Sequence, residues 1–247
     1  MGVSKRKRKK MLEARNLSFQ YGLAKEKGKK DFRIRDVSIK VEPGYVSCLL
    51  GKNGAGKSTL LSLLYGMRKP GSGEIFWNGE KLTAKNLALF RREAGYAGEK
   101  WCMDGMTLEK NVEMLSILYP DFDDQYFEEL LRMAGLEDVR EKLFATFSTG
   151  ERVKAELAFL MARRPKLLLL DEPLANIDPV FKTDILELLL KAVKENETGI
   201  LISTHLVDEI SDLVDYVYVM ENGSMKKSGD RFEVLKDGNL REALLGE

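Results

Sequence analysis

The 247-residue chain has little of what marks a secreted or membrane-spanning protein. It has two cysteines, Cys48 and Cys102. Cys48 stands in an apolar, strand-like run and reads as a small core residue rather than a disulfide partner. Long apolar runs are missing too. Leu167–Leu170 and Ile200–Ile202 fall far short of the ~20 residues a membrane-crossing helix needs, so the chain is not expected to cross a membrane by itself. No apolar core follows the N-terminus, so no secretory leader is expected. Together these features point to a reducing cytoplasm. What is present is an ordinary globular composition, 44% hydrophobic and 32% charged. The length suits one large α/β domain, or one with an inserted subdomain.

Charge is unevenly spread. Residues 1–10 carry six basic side chains and no acidic one, and read as a solvated, disordered basic tail. Taking those six from the 40 basic residues leaves 34 against 39 acidic ones in the body of the chain. A mildly acidic body argues against a nucleic-acid-binding face, and no nucleic acid is expected as a partner.

Residues 11–19 and 32–41 read as two strands, the second from alternation in Phe32, Ile34, Val37, Ile39 and Val41, with a Lys- and Gly-rich loop, 22–30, between them. Tyr45–Leu50 reads as a buried strand. Asn78-Gly79 closes a hairpin-like stretch around Glu74–Trp77. From about Thr107 to Arg140 the period turns helical, which predicts a helical subdomain inserted near 100–150. A helix over about 150–163, a buried strand at 167–170, a helix over 181–194 and strands at 199–203 and 215–220 complete the expectation. Residues 11–247 are read as a single domain.

Two motifs carry chemistry. Gly51-Lys52-Asn53-Gly54-Ala55-Gly56-Lys57-Ser58 matches G-x-x-x-x-G-K-[ST], between a buried strand and the start of a helix. Glycines let the backbone curl round an anion with its N–H groups inward, and the helix N-terminus adds partial positive charge. This predicts a nucleoside triphosphate as ligand, with Lys57 on the β- and γ-phosphates and Ser58 on Mg²⁺, and by itself leaves many NTPase classes open. Asn53, Gly54, Ala55, Gly56 and Thr59 complete the cradle. Further on, Leu167–Leu170 runs into Asp171-Glu172-Pro173. An acid at that strand end can hold Mg²⁺, and the next can polarise a water for in-line attack.

Between these motifs lies Phe147-Ser148-Thr149-Gly150-Glu151, which resembles the LSGGQ signature of ABC-type ATPases. Ala175-Asn176-Ile177-Asp178 resembles the loop that follows the acidic strand in that family, and Ser203-Thr204-His205 resembles its switch histidine. Tyr21, in Phe19-Gln20-Tyr21-Gly22, resembles the aromatic that stacks on adenine. The resemblance spans roughly residues 11–230 and implies the family's fold. That is a phosphate-loop core with a mixed sheet, an N-terminal antiparallel β portion and an inserted helical subdomain.

The resemblance also implies a mechanism. Two subunits, a homodimer or a heterodimer, would sandwich ATP, with Ser148 and Gly150 reaching the γ-phosphate in trans. Glu172, His205 and Lys57 would carry hydrolysis. Ser58, Asp171 and Glu99 would hold Mg²⁺, Glu99 standing where the family usually has Gln. Glu99 and Thr149, the latter in place of a glycine, resemble a drug and antibiotic exporter-type subset. The resemblance thus implies a transporter motor driving a membrane-spanning permease, lying in the cytoplasm against the inner face of the cell membrane, with export as the direction. The alternative is a non-transport ATPase of the same family acting on a soluble complex.

Overall fold

The computed structural model describes residues 11–21, 33–98, 102–205 and 210–234. The basic segment 1–10, the loop 22–30 and Glu99 lie outside the described residues.

The N-terminal half supplies β1 (Leu12–Gln20), β2 (Arg33–Val41), β3 (Val46–Leu50), α1 (Lys57–Leu64), β4 (Ser72–Trp77) and β5 (Glu80–Lys81). Then come α2 (Leu87–Glu93), β6 (Ala94–Ala97), α3 (Leu108–Ser116), α4 (Asp124–Met133) and α5 (Thr149–Ala162). The remainder is β7 (Leu167–Asp171), α6 (Pro179–Asn196), β8 (Gly199–Thr204), β9 (Tyr216–Glu221), β10 (Ser224–Asp230) and α7 (Arg231–Val234).

The strands form two sheets. One is antiparallel, in the order β2-β1-β4-β5. Period-2 alternation in β1 and β2 buries Leu12, Ala14, Val37 and Ile39 on one face, with Leu12 opposite Val41 and Ala14 opposite Ile39. Asn78 and Gly79, at φ 49° and 87°, form the two-residue turn between β4 and β5. Positive φ at both positions matches the strand twist, which is why Asn-Gly serves there.

The other sheet runs β10-β9-β3-β8-β7-β6, parallel from β9 to β6 with β10 antiparallel at the edge. Its central strands β3 and β8 are buried throughout and mostly apolar because both faces are covered. Alternate residues serve two cores. Val46, Cys48 and Leu50 pack with the helices α4 to α6. Leu49, Leu167, Leu169 and Leu201 face α1 and the antiparallel sheet. Cys48 is fully buried there and unpaired, and burial pushes its thiol pKa well above the ordinary value.

Between β6 and β7 the chain is helical. Thr107 caps α3 and Asp123 caps α4, each accepting a backbone N–H three residues on. Val112, Leu115, Phe127 and Leu130 turn inward. This is the inserted helical segment of the expected fold.

α2, β10 and the short α7 were not anticipated from the sequence. α2 buries one residue, Phe90, and so has no apolar period to read. The β10 sequence, Ser-Met-Lys-Lys-Ser-Gly-Asp, is polar and becomes a strand through its pairing with β9 across the Asn222-Gly223 turn. α1 begins at Lys57, two residues before the expected Thr59, because Gly56 at φ 110° is its N-cap.

Candidate active site

The loop from Gly51 to Gly56 joins β3 to α1, and packing dictates its glycines. A Cβ on Gly51 would lie 2.6 Å from the Met220 carbonyl oxygen and 2.9 Å from the Ala55 Cβ. Gly54 (φ 82°) and Gly56 (φ 110°) take backbone angles that L side chains resist. Gly223 N–H donates to Ala55 O (2.9 Å), and Ala55 N–H donates to Lys52 O (3.0 Å), so the loop is braced from both sides. α1 has no side-chain cap and no acid in its first turn. Its leading N–H groups and partial positive charge are therefore left for an anion. Lys57 is 5% exposed and curls back over the loop, donating to Gly51 O at 2.6 Å.

The acids come from β7, which β8 separates from β3 in the sheet. β7 ends at Asp171, and Glu172 follows at φ 51°, a sparsely populated angle for a non-glycine residue. Ser203 of β8 holds the pair in register. Its hydroxyl donates to Asp171 Oδ1 (2.6 Å) and accepts from Glu172 N–H (3.0 Å), whose N–H also reaches Ser203 O (3.1 Å). The Glu172 carboxylate then spans two cationic candidates. Oε1 lies 2.9 Å from Lys57 Nζ, and Oε2 lies 2.7 Å from His205 Nδ1.

A cavity of about 320 Å³ opens over the loop. Asn53, Gly54, Gly56, Lys57, Ser58, Thr59, Tyr21 and Glu172 line it. Tyr21 is fixed by an oxygen-to-oxygen hydrogen bond to Thr59 Oγ1 (3.1 Å), and Phe19 packs edge-on to its ring at 5.0 Å. Arg68 lies over the same ring, 4.9 Å from its centroid. Ala55 is buried behind the loop, and Asp171 joins the site through Ser203.

Ser148 and Gly150 do not line this cavity. They open α5, where Ser148 and Glu151 form a capping box. Ser148 Oγ accepts Glu151 N–H (3.2 Å), and Glu151 Oε2 accepts Ser148 N–H (2.7 Å). That hydrogen bond holds the Glu151 carboxyl below its usual range. A Cβ on Gly150 would meet the Phe181 ring of α6 at 2.8 Å, a packing reason for glycine there.

Ser203 had escaped notice as the residue that joins the two acids. The available signal was a serine in the otherwise aliphatic run of β8, at a buried position. Arg68 gave no such signal, because its contact with Tyr21 depends on the turn after α1.

A glycine-rich loop between β3 and α1, acids at the end of β7 and a helical insert between them define the ATP-binding cassette class of ATPases. The chain belongs to the ABC transporter family, whose sequence profile matches residues 34–175, more than half its length. An ABC transporter ATP-binding protein of Methanosarcina acetivorans is 34% identical over 84% of this chain and 65% of its own length. A methionine import ATP-binding protein of Pseudomonas savastanoi is 33% identical over 89% of this chain and 67% of its own. The chain thus spans about two thirds of either relative. The solved structure of an ATP-binding subunit of an ABC transporter superposes with a TM-score of 0.82 at 27% identity, covering 94% of this chain and 97% of that one. Among the described residues no helix is long and apolar enough to cross a membrane.

Proposed function

We propose that the chain is the ATP-hydrolysing motor of an ABC transporter. It closes on ATP as one of a pair and drives a separate membrane-spanning subunit. The observation that carries this reading is the Glu172 carboxylate, held between Lys57 and His205 at the mouth of the phosphate cradle.

The residues present fit both ATP and Mg²⁺. The uncapped α1 N-terminus and Lys57 suit the β- and γ-phosphates. Tyr21, at the rim of the cavity, offers a face for adenine. Ser58 and Asp171 would hold Mg²⁺, which needs only one or two protein oxygens beside phosphates and water. Glu99 joins these ligands by resemblance alone. Bound Mg²⁺ would neutralise charge developing on the phosphate oxygens.

The chain's own residues do the rest. Lys57 leaves Glu172 for the phosphates, and the freed Glu172 carboxylate orients a water and takes its proton. His205 contacts the γ-phosphate, and its bond to Glu172 links that contact to the base. Ser148 and Gly150 of a second subunit close the far side of the phosphate, with the α5 dipole assisting. Residues 11–247 act as one cassette, and the groove beside the helical insert receives the membrane partner.

For direction we propose export, on the Thr149 and Glu99 variants alone. Likeness to a methionine import protein weighs the other way. The test is copurification from detergent-solubilised membranes, followed by ATPase and transport assays in vesicles. ATPase activity with no membrane-spanning partner would remove the transporter reading. Uptake into the cell would remove export.

A further inference from the structure

Tyr21 follows the last residue of β1, and groups from two elements grip its ring. Thr59 Oγ1 of α1 meets the Tyr21 hydroxyl at 3.1 Å. Phe19 of β1 packs against the ring nearly at right angles, with centroids 5.0 Å apart. The guanidinium of Arg68, just past α1, lies 4.9 Å from the Tyr21 centroid and 6.0 Å from that of Phe19. An arginine over an aromatic face is attracted by the ring quadrupole, and its plane limits how the ring can turn.

Backbone hydrogen bonds set where Arg68 stands. α1 ends at a left-handed Gly66 (φ 75°), where Gly66 N–H donates to Leu63 O (3.0 Å) and Met67 N–H to Ser62 O (2.9 Å). This paired ending on a glycine satisfies the last carbonyls of the helix and fixes the direction of the chain beyond it. Three residues past Arg68, Gly71 N–H donates to Ser18 O of β1 (2.8 Å). Arg68 is therefore strung between the end of α1 and the strand that carries Phe19. Thr59 and Arg68 hold Tyr21 from either end of one short helix, and that helix begins at Lys57 of the cradle.

Tyr21 lines the cavity of about 320 Å³ over the cradle, and Arg68 does not. Arg68 lines a separate hollow of about 620 Å³, with Lys69 and Pro70. The guanidinium thus reaches the ring from outside the cavity. We propose that Arg68 is a positioning residue for the nucleotide base. Its guanidinium backs Tyr21 and, together with Thr59, ties the stacking ring to the helix that starts at the cradle. The inference rests on the reading above that Tyr21 faces adenine. A ring already held in place costs less to order when a base stacks on it. The same tie sets the distance between the base and the phosphates, because both are referred to one rigid helix.

The test is calorimetric titration of the full chain with ATP and with inorganic tripolyphosphate, each with Mg²⁺. Arg68 is exposed, so its substitution leaves the core untouched. Arg68→Gln should weaken ATP binding by about two- to fivefold, the range for a cation over an exposed aromatic face, and leave tripolyphosphate binding unchanged. In hydrolysis, KM for ATP should rise by the same factor with kcat unchanged, as for an interaction made equally in the ground and transition states. In a Tyr21→Ala background, Arg68→Gln should weaken ATP binding no further. Unchanged ATP affinity in Arg68→Gln, or a fall in kcat with KM unchanged, overturns the inference. An equal loss for ATP and tripolyphosphate overturns it too, by making Arg68 a charge that acts on the phosphates. So does a loss that persists without Tyr21. If Tyr21→Ala alone binds ATP as wild type does, the adenine role of Tyr21 is removed and the inference with it, while the cradle keeps its ligand. Wild type that binds neither ligand removes the ATPase reading itself.

Discussion

Glu172 Oε1 lies 2.9 Å from Lys57 Nζ, so the proposed base and the proposed phosphate-binding cation neutralise each other across the cradle. Lys57 is almost fully buried, and without a counter-charge it would bear a large desolvation cost. ATP phosphates can take over that role. On the proposed roles, binding of the substrate would then free the carboxylate that acts on it.

Glu172→Gln is expected to keep ATP binding and to slow hydrolysis by about 10²-fold or more, since a positioned base contributes ~10²–10⁴. The amide still accepts a hydrogen bond from Lys57 but cannot take a proton from water. Phosphate release gives the rate, and gel filtration with ATP should show a trapped dimer. Near-normal turnover would take Glu172 out of the chemistry.

Lys57→Ala removes the point charge on the phosphates and leaves Glu172 with His205 alone. ATP affinity and hydrolysis should fall together. Calorimetry showing unchanged affinity, with activity retained, would contradict the role given to Lys57.

Ser203→Ala removes one hydroxyl that serves both acids. Glu172 N–H keeps its bond to Ser203 O, so the loss falls mainly on Asp171 Oδ1. A stability loss of about 1–3 kcal/mol is expected, as for a lost partner of a charged group. ATPase activity should fall further than the melting curve accounts for, because the relative placement of the two acids is disturbed. Cysteine, a weaker donor of larger size, should not rescue it.

Glu151→Ala dismantles the capping box at Ser148 and should cost about 1 kcal/mol. The Glu151 carboxyl is held below its usual range in the folded chain, chiefly by the Ser148 N–H. A depressed folded value means that its stabilisation is complete above the ordinary carboxylate range. It is lost as pH falls through the lowered value. The gap in melting temperature between wild type and variant should therefore be full at neutral pH and shrink in acid. A gap independent of pH would show that charge on Glu151 plays no part.

Ser148→Arg should still bind ATP as a monomer but fail to close the pair, because its cation fills the trans phosphate contact. A Lys57→Ala chain keeps a sound α5 start and has a dead cradle. If the protein pairs with itself, mixing the two makes one composite site with an intact cradle and an intact facing serine. Partial ATPase activity should return when one variant is titrated into the other at fixed total protein. Full activity of Ser148→Arg alone at every concentration would sink the shared site.

Much of the fold could be read in the chain. The alternation of β1 and β2, the apolar runs of β3, β7 and β8 and the helical period of α3 and α4 are local, and each reports which faces are covered. The glycine-rich loop ahead of α1 was legible for the same reason, since its glycine spacing, lysine and hydroxyl are contiguous. α2 and β10 were not legible. One buried residue makes no period, and a polar edge strand exists through its neighbour.

The local pattern of the chain was enough to set the ATPase class, the cradle and the acid pair. Three-dimensional packing settled which groups meet across it. Ser203 reaches Asp171 from a different strand, Lys57 and Glu172 are 115 positions apart in the sequence, and Phe181 of α6 dictates glycine at 150. Arg163, just past α5, is buried with its guanidinium 3.6 Å from the Tyr119 ring centroid, a contact between two separate helical stretches. Hydrogen bonds and ion pairs act over a few ångströms of space. Their partners follow from how sheets and helices stack, which no short stretch of sequence encodes.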